Sequence, residues 1–376
     1  MKPVDESQLA EAVASAKGSL RIQGSGTRGV GGPRPGEVLS VAGLSGISLY
    51  EPGALTIVAQ AGTPLAEIEA ALDAEGQRLA FEPMDHRVLL GTKGVPTIGG
   101  VVAGNVSGPR RVAVGACRDF LLGVRFVDGM GRIIKNGGRV MKNVTGYDLV
   151  KLMAGSFGTL GVLSEVSLKV LPQPETAASL MLYWKADTST DADAVKAMSV
   201  ALNSPFEVTG AAHMQQSDQG CPVTVIRIEG LQASVTYRLK KLQELLAGFG
   251  DVDLLNDPDE VAALWLSIRD VQAWRGADQD IWRLSVKPSD APDIVGWMPE
   301  GTRIFYDWGG GLIWAACEAG TELRTKIGGF KGHATLVRGR ANGDRFQPEP
   351  PAIAAISQKL RAKFDPKGIL NPGLMG

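Results

Sequence analysis

The strongest constraint on the fold is a glycine-rich segment close to the start of the chain. Gly24-Ser-Gly-Thr-Arg-Gly29 follows a predicted strand, residues 19–23, and matches the G-x-G-x-x-G pattern of dinucleotide-binding βαβ units. In those units the loop must open a helix. In this chain the loop continues into Val30-Gly-Gly-Pro-Arg-Pro-Gly36, which cannot propagate a helix. The sequence therefore argues against a Rossmann fold at this motif.

The same loop can still bind an anion. Small residues expose backbone N–H groups, Ser25 and Thr27 add hydroxyl donors, and Arg28 adds positive charge. A glycine-rich surface turn has a similar composition. This loop alone leaves both interpretations open.

A second glycine-rich segment favours the ligand-binding interpretation. Residues 97–111 read Thr-Ile-Gly-Gly-Val-Val-Ala-Gly-Asn-Val-Ser-Gly-Pro-Arg-Arg, a mostly apolar stretch with four glycines. Glycine permits close approach of the backbone to a ligand, while valine and isoleucine suit a large cofactor that is partly apolar. The two loops together indicate a large cofactor that has both apolar and polar parts.

Residue distribution divides the chain in two. The 48 glycines are concentrated before residue 162, and all seven tryptophans lie between Trp184 and Trp314. We therefore expect two α+β parts that meet near Leu171-Pro172-Gln173-Pro174. In the second part, an antiparallel sheet with helices on one face is predicted, and one helix carries the apolar stripe Val235, Leu239, Leu242, Leu246. Its strands are predicted over 179–184, 207–214, 223–229, 281–287, 303–306, 311–316 and 334–337.

Composition excludes several classes of protein. The net charge of −1 argues against nucleic-acid binding, and no apolar run reaches the length of about 20 residues that crosses a bilayer. The N-terminus does not resemble a signal peptide. The three cysteines are far apart in sequence and support neither a disulfide framework nor an iron–sulfur cluster. The three histidines are isolated and do not support a metal site. We expect a cytoplasmic protein whose electrons leave through another molecule.

Two further segments make the pattern recognisable. Residues 132–165 contain Lys142-Asn-Val-Thr-Gly-Tyr-Asp148 and a glycine-spaced turn before a strand, and the terminus reads Phe364-Asp-Pro-Lys-Gly-Ile-Leu-Asn-Pro-Gly373. With the two loops, this series resembles the FAD-binding domain of the vanillyl-alcohol-oxidase and cresol-methylhydroxylase superfamily. Within it, the chain most resembles the family of the smaller FAD-binding subunit, the E subunit, of bacterial glycolate oxidase.

The resemblance implies an α+β fold with a two-lobed, non-Rossmann FAD-binding domain over residues 1–174. A cap or substrate-side domain with an antiparallel sheet would span 175–350, and a helix and tail, 351–376, would return to the FAD domain. Some superfamily members attach FAD covalently through a first-loop histidine. This loop contains no histidine, cysteine or tyrosine, so we expect non-covalent FAD. His86, before the second loop, is interpreted as structural or flavin-adjacent.

The resemblance also assigns cofactor-binding residues. They are Gly24, Ser25, Gly26, Thr27 and Arg28 in the first loop, Gly99, Gly100, Gly104, Asn105, Ser107 and Gly108 in the second, and Pro83, Gly161, Val162 and Asn371 elsewhere. Asn371 has an alternative role, because an Asn-Pro pair also closes helices with a turn.

Catalytic residues are harder to assign. Arg283 and Arg275 are candidates for binding a substrate carboxylate, and Trp308 for a wall of the flavin cavity. Arginine on a strand is also a common surface residue, and tryptophan a common core residue. Related 2-hydroxy-acid dehydrogenases use paired histidines and a glutamate around a metal. This sequence lacks a segment of the His-x-x-x-x-x-x-His type.

The resemblance therefore implies a subunit that acts within a glycolate oxidase or dehydrogenase complex, on a small 2-hydroxy acid. The expected partners are a larger FAD-containing catalytic subunit and an iron–sulfur subunit. Membrane attachment would be peripheral, at the inner face of the cell membrane, through those partners. Two alternatives stay open: a self-sufficient FAD-dependent 2-hydroxy-acid or alcohol oxidoreductase, and a structural subunit whose FAD does not turn over.

Overall fold

The structure is a computed structural model that describes residues 1–30, 36–139, 146–185, 190–217 and 220–375. The helix-breaking run 31–35 and residues 142–145 of the third segment lie outside these ranges. The chain forms two compact units. The first unit comprises Met1–Ser107, Gly115–Gln173 and Pro348–Gly376, and the second comprises Gly108–Val114 and Pro174–Gln347. Residues 108–114 thus belong to the second unit, whereas the sequence placed them inside the first domain.

The described ranges fold into short helices and strands. The helices are α1 Glu6–Ser15, α2 Leu65–Asp73, α3 His86–Leu90, α4 Ile98–Ala103, α5 Arg111–Val114, α6 Cys117–Phe120, α7 Leu149–Met153, α8 Asp191–Leu202, α9 Gln232–Leu246, α10 Pro258–Arg269, α11 Ala291–Gly296, α12 Leu323–Ile327 and α13 Pro351–Phe364. The strands are β1 Leu20–Gln23, β2 Glu37–Ser40, β3 Ile47–Glu51, β4 Thr56–Gln60, β5 Gln77–Arg78, β6 Leu121–Val127, β7 Ile133–Gly137, β8 Val162–Lys169, β9 Leu171–Pro172, β10 Thr176–Tyr183, β11 Val208–Met214, β12 Val223–Gly230, β13 Asp251–Leu255, β14 Asp280–Val286, β15 Arg303–Asp307, β16 Leu312–Cys317 and β17 Gly332–Arg338.

The first unit is built on a five-stranded antiparallel sheet in the order β3-β4-β8-β6-β7. β8 has residues buried on both faces, which suits its central place in the sheet. A separate parallel pair, β1 and β2, flanks the first glycine-rich loop. After that loop, the next element in the described part of the chain is the strand β2 rather than a helix. This agrees with the rejection of a Rossmann fold.

The C-terminal tail is part of the first unit and extends the β1–β2 pair. Leu20 N donates to the Ile369 carbonyl at 2.7 Å, and Asn371 N donates to the Leu20 carbonyl at 3.0 Å. The tail therefore lies along β1 at the strand that leads directly into the first glycine-rich loop.

The second unit contains an eight-stranded antiparallel sheet in the order β13-β10-β12-β11-β15-β16-β14-β17. Residues of α8, α9, α11 and α12 are buried in a core on one face, including the whole predicted stripe from Val235 to Leu246. The predicted strands of this unit are confirmed to within a few residues. α10 lies on the other face, where Trp265 Nε1 donates to Ser179 Oγ at 2.9 Å, so the expectation of helices on one face was wrong for this helix.

Segment 108–114 is anchored in the second unit by a buried ion pair. Arg110 Nη2 lies 2.5 Å from Glu229 Oε1, and the two side chains are 6% and 5% exposed. Arg110 Nε also donates to Glu229 Oε2 at 2.8 Å, which makes the contact bidentate. Arg227 Nε lies 3.9 Å from the same carboxylate oxygen. One negative charge therefore faces two buried arginines.

A second buried cluster of polar side chains surrounds His213 on β11. His213 Nδ1 lies 2.9 Å from Thr224 Oγ1, and that hydroxyl oxygen also accepts from Trp184 Nε1 at 2.8 Å. Burial lowers the pKa of His213 to about 4. The imidazole is therefore neutral at pH 7, in a part of the core that would disfavour its protonated form.

Candidate functional site

A groove in the first unit brings four distant stretches of sequence together. Residues from the first loop, from α4, from the turn before β8 and from the C-terminal tail line it. The lining consists of Ile22, Gln23, Gly24, Ser25, Gly26, Thr27, Arg28, Val30, Val41, Ala61, Thr97, Gly99, Gly100, Ala103, Gly104, Phe157, Gly158, Gly161, Val162, Leu163, Asn371 and Leu374. Backbone and polar groups of the first loop and apolar side chains therefore face the same space.

Two glycines of the groove are required by close packing against neighbouring parts of the first unit. A Cβ on Gly24 would lie 2.3 Å from Thr97 Oγ1, and a Cβ on Gly99 would lie 2.6 Å from the backbone oxygen of Ala61. Both distances are shorter than real Cβ contacts allow. Thr97 is also the N-cap of α4, where its hydroxyl accepts from Gly100 N. Glycine at position 24 therefore keeps the first loop against the second, and glycine at position 99 keeps the second loop against Ala61, which follows β4.

Asn371 joins the tail to two other parts of the groove. Its Oδ1 accepts from Ile22 N at 2.8 Å, and its Nδ2 donates to the Phe157 carbonyl at 2.8 Å. Asn371 is buried and has a φ of 47°, a left-handed conformation that asparagine tolerates better than most residues. The amide therefore acts as a clamp between β1 and the turn before β8.

Arg28 supplies positive charge to the groove. Its Nε atom is buried and has no hydrogen-bond partner in the described part of the chain. Burial lowers its pKa to about 10, and the negative charge of Asp85 partly offsets that effect. The guanidinium stays protonated at neutral pH, so a buried donor and a full positive charge remain to be satisfied. An anion in the groove would satisfy both, and the pyrophosphate of FAD fits this requirement.

The structure separates the predicted cofactor residues into two groups. Those that line the groove are Gly24, Ser25, Gly26, Thr27, Arg28, Gly99, Gly100, Gly104, Gly161, Val162 and Asn371. Pro83, Asn105, Ser107 and Gly108 do not belong to its lining. Pro83 is buried in the first unit, and Gly108 belongs to the second unit, where its carbonyl accepts from Trp308 Nε1 at 3.0 Å.

Asn105 and Ser107 hold the second loop onto α6. Asn105 Oδ1 accepts from Arg118 N, and Ser107 Oγ accepts from Cys117 N, both at 2.9 Å. Ser107 Oγ also donates to the Asn105 carbonyl. Their polar groups therefore shape the turn after α4.

Phe157 and Gly158 line the groove but were not identified from the sequence. Both have positive φ, 51° for Phe157 and 73° for Gly158. Phe157 N donates to the Ala103 carbonyl at 2.9 Å, which ties this turn to α4. The Gly-Ser-Phe-Gly run of residues 155–158 was a usable signal for a tight turn, but nothing local showed that it faces the first loop.

The candidate catalytic residues lie in the second unit. Arg283, on β14, has its guanidinium carbon 5.0 Å from the centre of the Trp308 ring. Trp308 follows β15 and is buried, with a φ of 54°. Arg275 is exposed at the end of a short 3₁₀ turn formed by Gln272–Trp274. The structure thus brings together two of the three candidates.

The described residues contain no group of three or more histidine, cysteine, aspartate or glutamate side chains that could hold a metal ion. His86 lies at the start of α3, with Nδ1 3.3 Å from the Met84 carbonyl. Across the described ranges, no helix has both the length and the apolar character that a membrane crossing requires.

Comparison with known proteins places this geometry in a family. Residues 1–137 match the family model described as "FAD binding domain". Glycolate oxidase subunit GlcE of Escherichia coli is 37% identical over 367 residues, which cover 96% of this chain and 93% of that protein. Glycolate oxidase subunit GlcD of Bacillus subtilis is 34% identical, with 94% and 83% coverage.

A solved structure supports the fold. Alkyldihydroxyacetonephosphate synthase superposes with a TM-score of 0.70 at 15% identity, covering 99% of this chain and 76% of that one. The likeness extends across both units, as expected for an α+β fold of the vanillyl-alcohol-oxidase type. From the identity to GlcE over nearly the full length of both proteins, the chain belongs to the family of the glycolate oxidase FAD-binding subunits, among the cresol-methylhydroxylase-type flavoproteins.

Proposed function

We propose that this protein is the FAD-binding subunit of a bacterial glycolate oxidase or dehydrogenase complex that oxidises glycolate to glyoxylate. The observation that carries the proposal is the glycine-lined groove of the first unit, with the charged Arg28 turned towards it, in a member of this family. The protein is an FAD-dependent oxidoreductase, and its cofactor is FAD. When bound, FAD supplies the acceptor for the hydride that leaves the α-carbon of a hydroxy acid.

Different residues of the groove would hold different parts of this cofactor. Arg28 and the backbone of residues 24–27 would bind the pyrophosphate, because they provide a positive charge and closely spaced donors. Val162 and Leu163 would pack against apolar parts of the cofactor. Asn371 would hold the tail and the first loop in register. Attachment would be non-covalent, since residues 24–30 offer no histidine, cysteine or tyrosine.

The proposed partners are a larger FAD-containing subunit that carries the hydroxy-acid site and an iron–sulfur subunit that receives electrons. A separate electron carrier is proposed because an iron–sulfur cluster needs several thiolates close together. Cys117 lies in the first unit, Cys221 and Cys317 lie in the second, and Cys117 and Cys317 are buried. We place the complex in the cytoplasm, with any attachment to the inner face of the membrane made by the partners.

The first experiment identifies the cofactor. The full chain is purified, supplemented with FAD, desalted and heated, and the released compound is identified by absorbance and chromatography. We expect FAD in a one-to-one ratio and a marked loss of retention in Arg28→Gln. Arg340→Gln is the matched control, because Arg340 is an exposed arginine of the second unit. A well-folded chain that retains no flavin would overturn the proposal.

A second experiment separates subunit function from independent catalysis. The complex is reconstituted with the partner subunits and supplied with glycolate, and flavin reduction is followed in each chain. Reduction of this chain's flavin only in the complex supports the proposal. Turnover by the isolated chain with an artificial electron acceptor would favour a self-sufficient oxidoreductase. A flavin that stays oxidised in this chain while the partner's flavin cycles would favour a structural subunit.

A further inference from the structure

Helix α13 lies on the surface of the first unit without burying any of its residues. Its 14 residues, Pro351–Phe364, include no buried side chain, whereas α1 buries Leu9 and Val13. The N-cap residue, Pro350, makes no side-chain hydrogen bond to the first turn. Isolated helices shorter than about 15 residues are only marginally stable in water. Helix α13 therefore lacks the buried contacts that stabilise most surface helices.

Contacts with the first unit hold the C-terminal half of α13. Arg361 Nη2 donates to the Leu374 carbonyl at 3.0 Å, and the Phe364 carbonyl accepts from Gly129 N at 2.8 Å. The centre of the Phe364 ring also lies 6.1 Å from that of Phe126, on β6. Leu374 lines the cofactor groove, so Arg361 links this helix to the groove.

The solvent-facing side of α13 carries two isoleucines followed by two lysines. Ile353 and Ile356 are 48% and 63% exposed, and Lys359 and Lys363 are exposed as well. Successive members are three, three and four residues apart, a spacing that places them all on one face of a helix. We call these residues the α13 stripe. Amphipathic helices that bind in the groove of another protein use anchor residues at the same spacing.

The α13 stripe is positively charged. Lys359 and Lys363 lie about one helical turn apart, where like charges destabilise a helix. Neither lysine forms a hydrogen bond or an ion pair with another residue in the described part of the chain. The helix contains no aspartate or glutamate, and the Asp365 carboxylate that follows it is buried and accepts from Leu370 N at 2.7 Å. The stripe therefore favours an occupant that brings carboxylates.

Two other occupants fit the stripe less well. A second copy of this chain, packed stripe against stripe, would bring the lysines of both copies together with no carboxylate from either helix. On a lipid surface, the two isoleucine side chains offer fewer apolar carbons than a single myristoyl chain, which alone gives only marginal membrane binding. A protein surface that combines an apolar pocket with nearby carboxylates satisfies both halves of the stripe.

We propose that the α13 stripe is the docking site for the larger FAD-containing subunit, which receives it in an apolar groove bordered by carboxylates. The identity of this partner rests on the proposed function, whereas the chemistry of its surface rests on the stripe alone. In the proposed complex the larger subunit carries the hydroxy-acid site, so electrons from the substrate reach this chain through that subunit. The larger subunit must therefore dock on the unit that holds this chain's FAD, and α13 belongs to that unit.

Hydrogen exchange measured by mass spectrometry tests the proposal on the wild-type chain. The full chain, loaded with FAD, is compared with the same chain bound to the larger subunit. In the free chain we expect the backbone amides of residues 351–364 to exchange quickly, because no side chain of α13 is buried. In the complex their exchange should be about tenfold slower or more. Unchanged exchange in the complex, or equal protection by the iron–sulfur subunit alone, would overturn the proposal.

Variants test the two halves of the stripe separately. Ile356→Ser and Lys363→Glu should each raise the Kd for the larger subunit about tenfold, as measured by analytical ultracentrifugation. Ile133→Ser is the control for the isoleucine, since Ile133 is a 44% exposed residue of β7. Lys240→Glu makes the same change of charge at an exposed lysine of α9 and is the control for the lysine. Equal Kd values for stripe variants and controls would show that the stripe is not the docking site.

FAD content and melting temperature are measured on the same samples. A variant that keeps both but no longer binds the larger subunit supports the docking site. A wild-type chain that binds FAD but not the larger subunit would overturn the proposed function itself. The full chain is also sedimented with phosphatidylglycerol vesicles. Vesicle binding that is lost in Ile356→Ser would identify a lipid surface as the occupant and overturn the choice of a protein partner.

Discussion

Glu229→Gln tests how strongly the buried ion pair holds segment 108–114 in the second unit. The substitution keeps the shape of the side chain but removes the negative charge that faces Arg110 and Arg227. Removing one partner of a buried ion pair typically costs about 3–5 kcal/mol. With a urea m-value of about 2 kcal/mol/M, the unfolding midpoint of the second unit should fall by roughly 2 M.

Tryptophan fluorescence is the appropriate assay, because all seven tryptophans lie between Trp184 and Trp314 and hence in the second unit. Urea unfolding followed at this signal reports that unit, while flavin fluorescence reports the first. Glu244→Gln is the control, since Glu244 forms an exposed ion pair with Lys241 on α9. We expect the control to keep the wild-type midpoint.

Equal midpoints for Glu229→Gln and Glu244→Gln would refute the reasoning, because they would show that the buried pair adds nothing to the stability of the unit. The double variant Arg110→Met/Glu229→Met gives a further check. Replacing both partners by apolar side chains removes the Arg110 charge that Glu229→Gln leaves without its carboxylate, while the Arg227 charge stays, so part of the lost stability should return. A double variant as unstable as Glu229→Gln would point to packing instead.

Three further outcomes are expected. Gly24→Ala should raise the Kd for FAD, measured by flavin fluorescence, because its methyl group would meet the Thr97 hydroxyl, whereas Gly18→Ala has open space and should not. The pKa of His213 is lower in the folded state than in the unfolded state, so the unfolded state binds more protons between pH 6.5 and 4 and the stability falls as the pH falls. The loss of stability reaches about 3 kcal/mol at most. It should disappear in His213→Gln, as measured from urea midpoints at each pH. Asn371→Ala should lower thermal stability and FAD retention by removing two hydrogen bonds, at a cost of about 1–3 kcal/mol, and unchanged melting would contradict the clamp.

The strands of the second unit could be predicted because their side chains alternate. β14 shows why: its apolar residues enter the core while Arg283 and Ser285 alternate with them. β13 was missed, since it is an edge strand that begins with Asp-Val-Asp and has no buried residue to mark a face. Local pattern therefore predicts strands where one face is buried and fails at polar edges.

The sequence predicted the two loops of the cofactor groove better than it predicted which of their polar residues line it. Glycines such as Gly24 and Gly99 are visible in the sequence because close packing forbids any other side chain. Asn105 and Ser107 have the residue types of ligand-binding groups, yet their hydrogen bonds go to the backbone of α6. Residue type shows that a polar group needs a partner, but only the tertiary fold decides which partner it finds.

Segment 108–114 has a consequence for how this protein can be divided or recombined. A fragment that spans 174–347 alone would contain Glu229 but not Arg110, and Trp308 but not the Gly108 carbonyl. Such a fragment would leave a buried carboxylate without its bidentate partner, with Arg227 3.9 Å away, so we do not expect it to fold as stably as the complete unit. Any exchange of this unit between related proteins, by natural recombination or by design, must transplant two separate pieces of chain together.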